Sequence, residues 1–241
     1  MSKSLLKHII KSKEDGQKLL AVLLDPDKLA LSNLPNTATK INSNKVDFIF
    51  VGGSTVDLGI TDTFVMELKN LTNIPIILFP GDYLHLTNQA DAVLFLSLLS
   101  GRNPEYLIEQ QIKSVDFLKN SSLEIIPTSY ILIDGGIETA VQKVSKTTPI
   151  SQTNIDEIVN TAIASEYLGK QLIYLEAGSG ATEVINPNII KTVSENINIP
   201  IIVGGGIRSK KQIENAYNRG ADLIVIGTAF EENNNALKSI L

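Results

Sequence analysis

The chain has 241 residues, a length at which a single α/β barrel domain is common. Its 43% hydrophobic content predicts a globular protein with an ample core. The formal net charge of −5, without a cluster of Lys and Arg, argues against a nucleic-acid-binding surface. Because the chain has no cysteine, a disulfide framework and a thiolate metal site are excluded.

The N-terminal segment 1–16 has no continuous apolar core of signal-peptide length. No run elsewhere approaches the roughly 20 apolar residues that a membrane-spanning helix needs. We therefore expect a cytoplasmic protein without a transmembrane segment, whose contact with membranes is at most peripheral.

Short apolar runs rich in β-branched residues recur along the chain, and each has the length of a buried parallel strand. These runs are residues 19–24, 48–51, 76–79, 92–96, 125–133, 172–175, 201–203 and 223–226. Helical stretches such as 103–119 and 154–168 separate most of them, which predicts parallel, right-handed connections. Eight such units close into a (β/α)8 TIM barrel, so we predict one α/β domain over residues 1–241.

The third connection departs from this pattern. Residues 80–91 (PGDYLHLTNQAD) are too few and too rich in turn formers for a full helix. The predicted barrel is therefore modified, with one outer helix missing or replaced.

Residues that follow the strands form the active face of such a barrel. After the first strand, Asp25 either caps a turn or holds a hard cation. After the second, Ser54 either caps a helix or binds the same cation as Asp25. A carboxylate and a hydroxyl from adjacent strands can share one Mg²⁺ with water and phosphate oxygens. Zinc fits less well, because His8 and His85 are the only histidines.

Glycine-rich segments follow the last three strands. Glu176 directly follows the sixth apolar run and precedes small residues, so it is either a base beside a phosphate loop or a carboxylate that binds loop amides. After strands seven and eight come Gly204-Gly205-Gly206 and Gly227-Thr228. Because loops at these two positions commonly hold phosphate, we interpret the pair as a phosphate grip.

Five motifs carry a family resemblance: LLDPDK (23–28), VGGS (51–54), YLEAGSG (174–180), IVGGGIRS (202–209) and IGTAFEE (226–232). In this order they resemble the geranylgeranylglyceryl phosphate synthase family, and they span nearly the whole chain. The resemblance implies a barrel that lacks one helix. It also implies Mg²⁺-dependent transfer of a prenyl group from an isoprenyl diphosphate, expected to be geranylgeranyl diphosphate, to sn-glycerol 1-phosphate. The product would be an ether-lipid precursor, released with diphosphate.

Matched by motif position, the resemblance implies that Asp25 and Ser54 bind the metal and that Asp25 acts in catalysis through it. It also implies that Glu176 faces the attacking hydroxyl as a catalytic residue. The residues expected to hold glycerol 1-phosphate are Tyr174, Leu175, Glu176, Ala177, Gly178, Ser179, Gly180, Gly204, Gly205, Gly227 and Thr228. An apolar groove for the prenyl tail, lined from Phe79 to Leu99, is our own inference from the missing helix.

Two departures from the archaeal pattern resemble the bacterial branch of the family, in which higher oligomers occur. Leu23 and Leu24 stand where archaeal members often have a lysine, and Gly227-Thr228 replaces Gly-Asn. We therefore expect a homo-oligomer. Two other functions stay open: an isomerase or cyclase built on another phosphate-binding barrel, and a non-catalytic barrel that binds a phospholipid precursor.

Overall fold

The computed structural model describes residues 4–53 and 59–227, and its eight parallel strands form a closed barrel. The strands are β1 (Leu19–Leu24), β2 (Phe48–Val51), β3 (Ile76–Leu78), β4 (Ala92–Leu98), β5 (Glu124–Leu132), β6 (Leu172–Glu176), β7 (Ile201–Gly204) and β8 (Leu223–Ile226). Each strand pairs with the next, and β1 pairs with β8, with Leu19 opposite Leu223. The predicted barrel is confirmed, and no strand end differs from its predicted position by more than two residues.

Helices pack against the barrel. They are α1 (Leu5–Glu14), α2 (Leu34–Asn42), α3 (Ile60–Lys69), α4 (Gln110–Lys119), α5 (Ala140–Ser145), α6 (Ile155–Tyr167), α7 (Pro187–Ser194) and α8 (Lys210–Asn218). A π-helical turn at Glu105–Glu109 leads directly into α4, and a 3₁₀ turn at Leu31–Asn33 leads into α2. No helix in the described ranges has the length and apolar character that crossing a bilayer requires.

The connection between β3 and β4 lacks an α-helix, as predicted. This connection, described in full, contains only a 3₁₀ turn at Tyr83–His85. Asp82 begins that turn by accepting a hydrogen bond from Leu84 N (2.9 Å), and its other oxygen accepts one from the side chain of Gln110 (3.1 Å). The short connection is thereby fixed to α4. Where a helix between β3 and β4 would otherwise lie, the outer face of β4 borders a cavity.

The core has two layers, because successive strand residues point to opposite faces of the sheet. Alternate side chains such as Ala21 and Phe50 fill the inside of the barrel, whereas Val22 and Ile49 pack outward with helix residues such as Phe64. Helix α1 lies at the end of the barrel where the strands begin. Its Ile9 is fully buried in the inner cluster, and the ring of His8 lies 5.9 Å from that of Phe48.

A carboxylate from the barrel anchors α1. Glu124, the first residue of β5, accepts hydrogen bonds from Leu5 N (2.5 Å), Leu6 N (3.2 Å) and the hydroxyl of Ser4 (2.5 Å). Backbone N–H groups at a helix start have no partner within the helix, and the helix dipole favours a negative charge there. Glu124 therefore closes the barrel end by capping α1.

We expect Glu124→Gln to lower the free energy of unfolding by about 1–2 kcal/mol, because the neutral amide loses the charge–dipole attraction and presents an N–H group to N–H donors. Urea denaturation measures this change. Glu67→Gln, on the exposed face of α3, is the matched control. Equal effects of the two substitutions would contradict the capping role.

Candidate active site

A cavity of about 270 Å³ opens where the strands end. Its walls include residues that follow β1, β2, β3, β6, β7 and β8, so it occupies the face on which active sites of (β/α)8 barrels lie. One part of the wall carries charged and glycine residues, and the other is apolar.

Glu176 lies at the inner end of the charged part. The residue is 6% exposed, and its Oε1 accepts a hydrogen bond from Gly178 N at 2.6 Å. The hydroxyl of Tyr174 is a second hydrogen-bond partner. Burial raises the pKa of Glu176 to about 7, although both hydrogen bonds act in the opposite direction. Near neutral pH this carboxyl can therefore either accept or donate a proton.

The two tyrosines beside Glu176 stay neutral. Burial and the nearby Glu176 charge raise the pKa values of Tyr130 and Tyr174 well above their ordinary range. Both hydroxyls therefore act as donors or acceptors of hydrogen bonds but carry no charge.

Gly204 and Gly205 allow the chain after β7 to reach Glu176. A Cβ atom at Gly204 would lie 2.5 Å from the Tyr174 hydroxyl and 2.7 Å from Glu176 Oε2. At Gly205, where φ is +85°, a Cβ atom would lie 2.6 Å from both Glu176 Oε1 and Gly178 N. These glycines therefore have a packing reason in addition to the predicted contact with phosphate.

Arg208 joins the loops that follow β6 and β7. Its Nη1 donates to the carbonyl of Ala181 at 2.8 Å, and its Nη2 lies 3.5 Å from the carbonyl of Gly180. Ala177 N donates to Gly204 O (3.1 Å) and ties the same loops together. The guanidinium thus holds a positive charge beside the glycine loops. The position of Arg208 directly after Gly-Gly-Gly-Ile is the only sequence signal for this role.

Asp25 lies on another part of the cavity wall, at the end of β1. Its Oδ1 accepts a hydrogen bond from Asp27 N (3.1 Å), and its Oδ2 lies 3.0 Å from Lys28 Nζ. A Cβ atom at Gly53 would lie 2.7 Å from Asp25 Oδ1, so the chain that follows β2 runs beside this carboxylate. The next residue, Ser54, falls outside the described residues.

Asp25 has the chemistry of a magnesium ligand. Mg²⁺ is commonly held by one or two carboxylates and completes its shell with water and substrate phosphates. The described ranges contain no group of three or more His, Asp or Glu side chains arranged to hold a metal. A single carboxylate such as Asp25 fits a magnesium ion whose other ligands are water and phosphate oxygens.

The predicted site residues divide into two groups. Asp25, Tyr174, Glu176, Ser179, Gly180, Gly205 and Gly227 line the cavity. By contrast, Leu175 and Ala177 are buried in the outer core layer, Gly178 N donates a hydrogen bond to Glu176, and Gly204 leaves room for the Glu176 carboxylate. These four shape the loops without lining the cavity. Thr228, like Ser54, lies outside the described residues.

The apolar part of the cavity continues over aromatic rings. The ring of Phe79 lies 5.2 Å from that of Tyr174, which lies 5.5 Å from that of Tyr130. Beyond them the cavity passes between β4 and α4, where its lining residues are Val93, Leu94, Phe95, Leu96, Gln111, Ser114 and Leu118, with Val141 and Val144 on the side of α5. This branch agrees with the groove inferred for residues 79–99. The walls from α4 and α5 were not predicted.

These features define a (β/α)8 barrel with one replaced helix and a candidate phosphate site at the strand ends. The chain belongs to the PcrB family, whose sequence model matches residues 9–241. The resemblance stated from the motifs is thus confirmed.

Relatives and solved structures agree with this assignment. The chain is 52% identical to the geranylgeranylglyceryl phosphate synthase of Flavobacterium johnsoniae over 96% of this chain and 95% of that protein. It is 40% identical to the protein of that name in Korarchaeum cryptofilum, over 92% and 91%. The crystal structure of (S)-3-O-geranylgeranylglyceryl phosphate synthase from Thermoplasma acidophilum, in complex with substrate sn-glycerol-1-phosphate, matches with a TM-score of 0.93 and 32% identity, over 99% of this chain and 96% of that one.

We expect Gly205→Ala to destabilise the fold by about 1–3 kcal/mol more than Gly16→Ala. Both glycines have positive φ (+85° and +70°), so the backbone strain is matched. Only at Gly205 would the new Cβ atom meet backbone nitrogens and the Glu176 carboxylate, since Gly16 has no atom within 4 Å of that position. Urea denaturation of the two variants provides the comparison, and equal losses would contradict the crowding at Gly205.

Glu176 makes stability depend on pH. Its pKa rises from an ordinary value of 4.5 to about 7 on folding, so the folded chain binds more protons than the unfolded chain between these values. The free energy of unfolding should therefore fall by about 3 kcal/mol as pH rises through this range. Glu176→Gln should lack this contribution, whereas Glu195→Gln, on the surface, should keep it. Urea denaturation between about pH 4.5 and about pH 8 measures the difference, and parallel curves for all three proteins would disprove it.

Proposed function

We propose that this protein is a geranylgeranylglyceryl phosphate synthase, a prenyltransferase that joins geranylgeranyl diphosphate to sn-glycerol 1-phosphate and releases diphosphate. The main support is that one cavity joins a buried carboxylate beside glycine loops, a second carboxylate at the end of β1 and a long apolar branch. This combination suits two anionic groups and one hydrocarbon chain. The identity to synthases of this name and the solved complex with sn-glycerol-1-phosphate support the same reaction.

The acceptor occupies the glycine-loop side in this proposal. The loops at 176–180, 204–205 and 227–228 hold its phosphate, with the charge of Arg208 behind them. Glu176 orients the free hydroxyl at position 3 toward the centre of the cavity. The buried carboxylate stays in one place because Tyr174 and Gly178 bind it, so little reorganisation is needed when the hydroxyl reacts.

The donor lies across the cavity, with its diphosphate at the Asp25 loop and its tail in the branch between β4 and α4. Asp25 and Ser54 would hold Mg²⁺, which when bound offsets the negative charge of the leaving diphosphate. The hydroxyl oxygen of the acceptor forms a bond to the allylic carbon while the bond from that carbon to the diphosphate oxygen breaks. The hydroxyl proton passes to the carboxylate of Glu176.

Magnesium dependence and the cytoplasmic location stay predictions within this proposal. We also propose a homo-oligomer. Its support is the exposure of two large apolar residues, Ile108 (51%) in the π-helical turn and Ile112 (58%) in α4. Large apolar side chains on an outer helix face suit a contact between subunits.

An isomerase or cyclase mechanism has less support. Such a reaction needs an acid and a base on opposite sides of the cavity. Asp134, the carboxylate that follows β5, does not line the cavity, and its Oδ1 accepts a hydrogen bond from Gly136 N at 2.9 Å.

A non-catalytic binding barrel would retain the cavity but would have no use for a proton acceptor with a pKa of about 7 at its centre.

We expect the protein to form the ether product from radiolabelled sn-glycerol 1-phosphate and geranylgeranyl diphosphate with Mg²⁺, and Glu176→Gln to lower kcat by about 10²- to 10⁴-fold through loss of the proton acceptor. Glu195→Gln is the matched control. Isoprenyl diphosphates of several lengths and sn-glycerol 3-phosphate test the choice of donor and the stereochemistry.

Absence of ether product at every chain length would refute the synthase function. Full activity in EDTA, or in Asp25→Ala, would refute the metal assignment while leaving the function intact.

A further inference from the structure

The charges that line the cavity are unevenly placed. Among the described lining residues, three are carboxylic acids, Asp25, Asp82 and Glu176, and two are cations, Lys28 and Arg208. Asp82 is engaged with Leu84 N and the side chain of Gln110. The two cations belong to different loops, Lys28 to the one after β1 and Arg208 to the one after β7.

Arg208 belongs to the glycine-loop side. Its guanidinium bonds to the carbonyl of Ala181 and reaches that of Gly180, so it is held where the acceptor phosphate is proposed to bind. Its guanidinium is therefore committed to the loops after β6 and β7.

Lys28 is placed on the Asp25 side by one turn of backbone. Lys28 N and Leu29 N both donate to the carbonyl of Asp25, at 3.1 and 3.0 Å. This turn puts the side chains of Asp25 and Lys28 on the same side. The ammonium lies 3.0 Å from Asp25 Oδ2. The side chain of Lys28 is 54% exposed, whereas that of Asp25 is only 14% exposed.

We propose that Lys28 binds the diphosphate of the donor and exchanges its ion pair with Asp25 for a pair with this leaving group. The inference rests on the proposed function. A diphosphate carries more negative charge than one Mg²⁺ bound to one carboxylate can offset, so a further cation is needed on this side. Lys28 is the described lining cation that is found there.

The exchange suits the chemistry of lysine. A compact ammonium on a flexible four-carbon stem moves easily between two anions, unlike a bidentate arginine held by carbonyls. Before the ligands bind, Lys28 offsets the charge of Asp25, which would otherwise repel a diphosphate. With Asp25 holding Mg²⁺, the same ammonium would pair with the phosphate oxygens and would stabilise the charge that builds as the bond from the allylic carbon to the diphosphate oxygen breaks.

Titration calorimetry with inorganic diphosphate in the presence of Mg²⁺ tests this role directly. We expect Lys28→Met to weaken diphosphate binding by about 10- to 100-fold, because a hydrogen-bonded charge pair is lost. Lys28→Arg should retain most of the affinity. Lys45→Met, an exposed lysine near the opposite end of the barrel, is the control for the change in charge and should bind as the unsubstituted protein does.

Steady-state kinetics provides the second readout. Lys28→Met should raise the KM for the isoprenyl diphosphate while leaving the KM for sn-glycerol 1-phosphate near its original value. The inference is overturned if Lys28→Met binds diphosphate as tightly as the unsubstituted protein, if the unsubstituted protein binds none, or if both KM values rise together. Loss of diphosphate affinity in Lys28→Met, in a protein that forms no ether, would support the site and contradict only the proposed function.

Discussion

The burial of Glu176 is the constraint on which the rest of the site depends. An ionised carboxylate removed from water is costly unless nearby donors replace its hydration. The Tyr174 hydroxyl and Gly178 N provide that replacement, and the remaining space around the carboxylate is so narrow that only Gly204 and Gly205 fit beside it. The two glycine motifs, almost thirty residues apart in sequence, are therefore one packing unit.

The replaced helix gives the barrel its apolar branch. In a regular barrel, the helices that connect successive strands cover the outer faces of the strands. Here the turn Tyr83–His85 stands in for one helix, and the contact from Gln110 to Asp82 keeps α4 close to that turn. The cavity therefore extends outward past β4 without exposing that surface fully to water. The rings of Phe79 and Tyr130 lie where this apolar branch joins the charged part of the cavity.

Much of this architecture could be predicted from the sequence, because the β-branched runs end at glycines or carboxylates and the third connection is visibly short. Asp25 and Glu176 were found by their position after strands. The pKa of Glu176 was not predictable, since it depends on burial by residues distant in sequence. The contacts of Arg208 with Ala181 and of Lys28 with Asp25 depend on side-chain reach, which periodicity does not encode.

With a pKa of about 7, Glu176 is a stronger base than an ordinary carboxylate, and this reaction needs no stronger one. The acceptor hydroxyl is scarcely acidic at first, and it becomes strongly acidic only as its oxygen bonds to the allylic carbon. A carboxylate with a pKa of about 7 then takes the proton readily, whereas a stronger base would gain little before that bond forms. The greater demand falls on the departure of the diphosphate, so the protein's cationic contribution belongs on the Asp25 side of the cavity, where Lys28 lies.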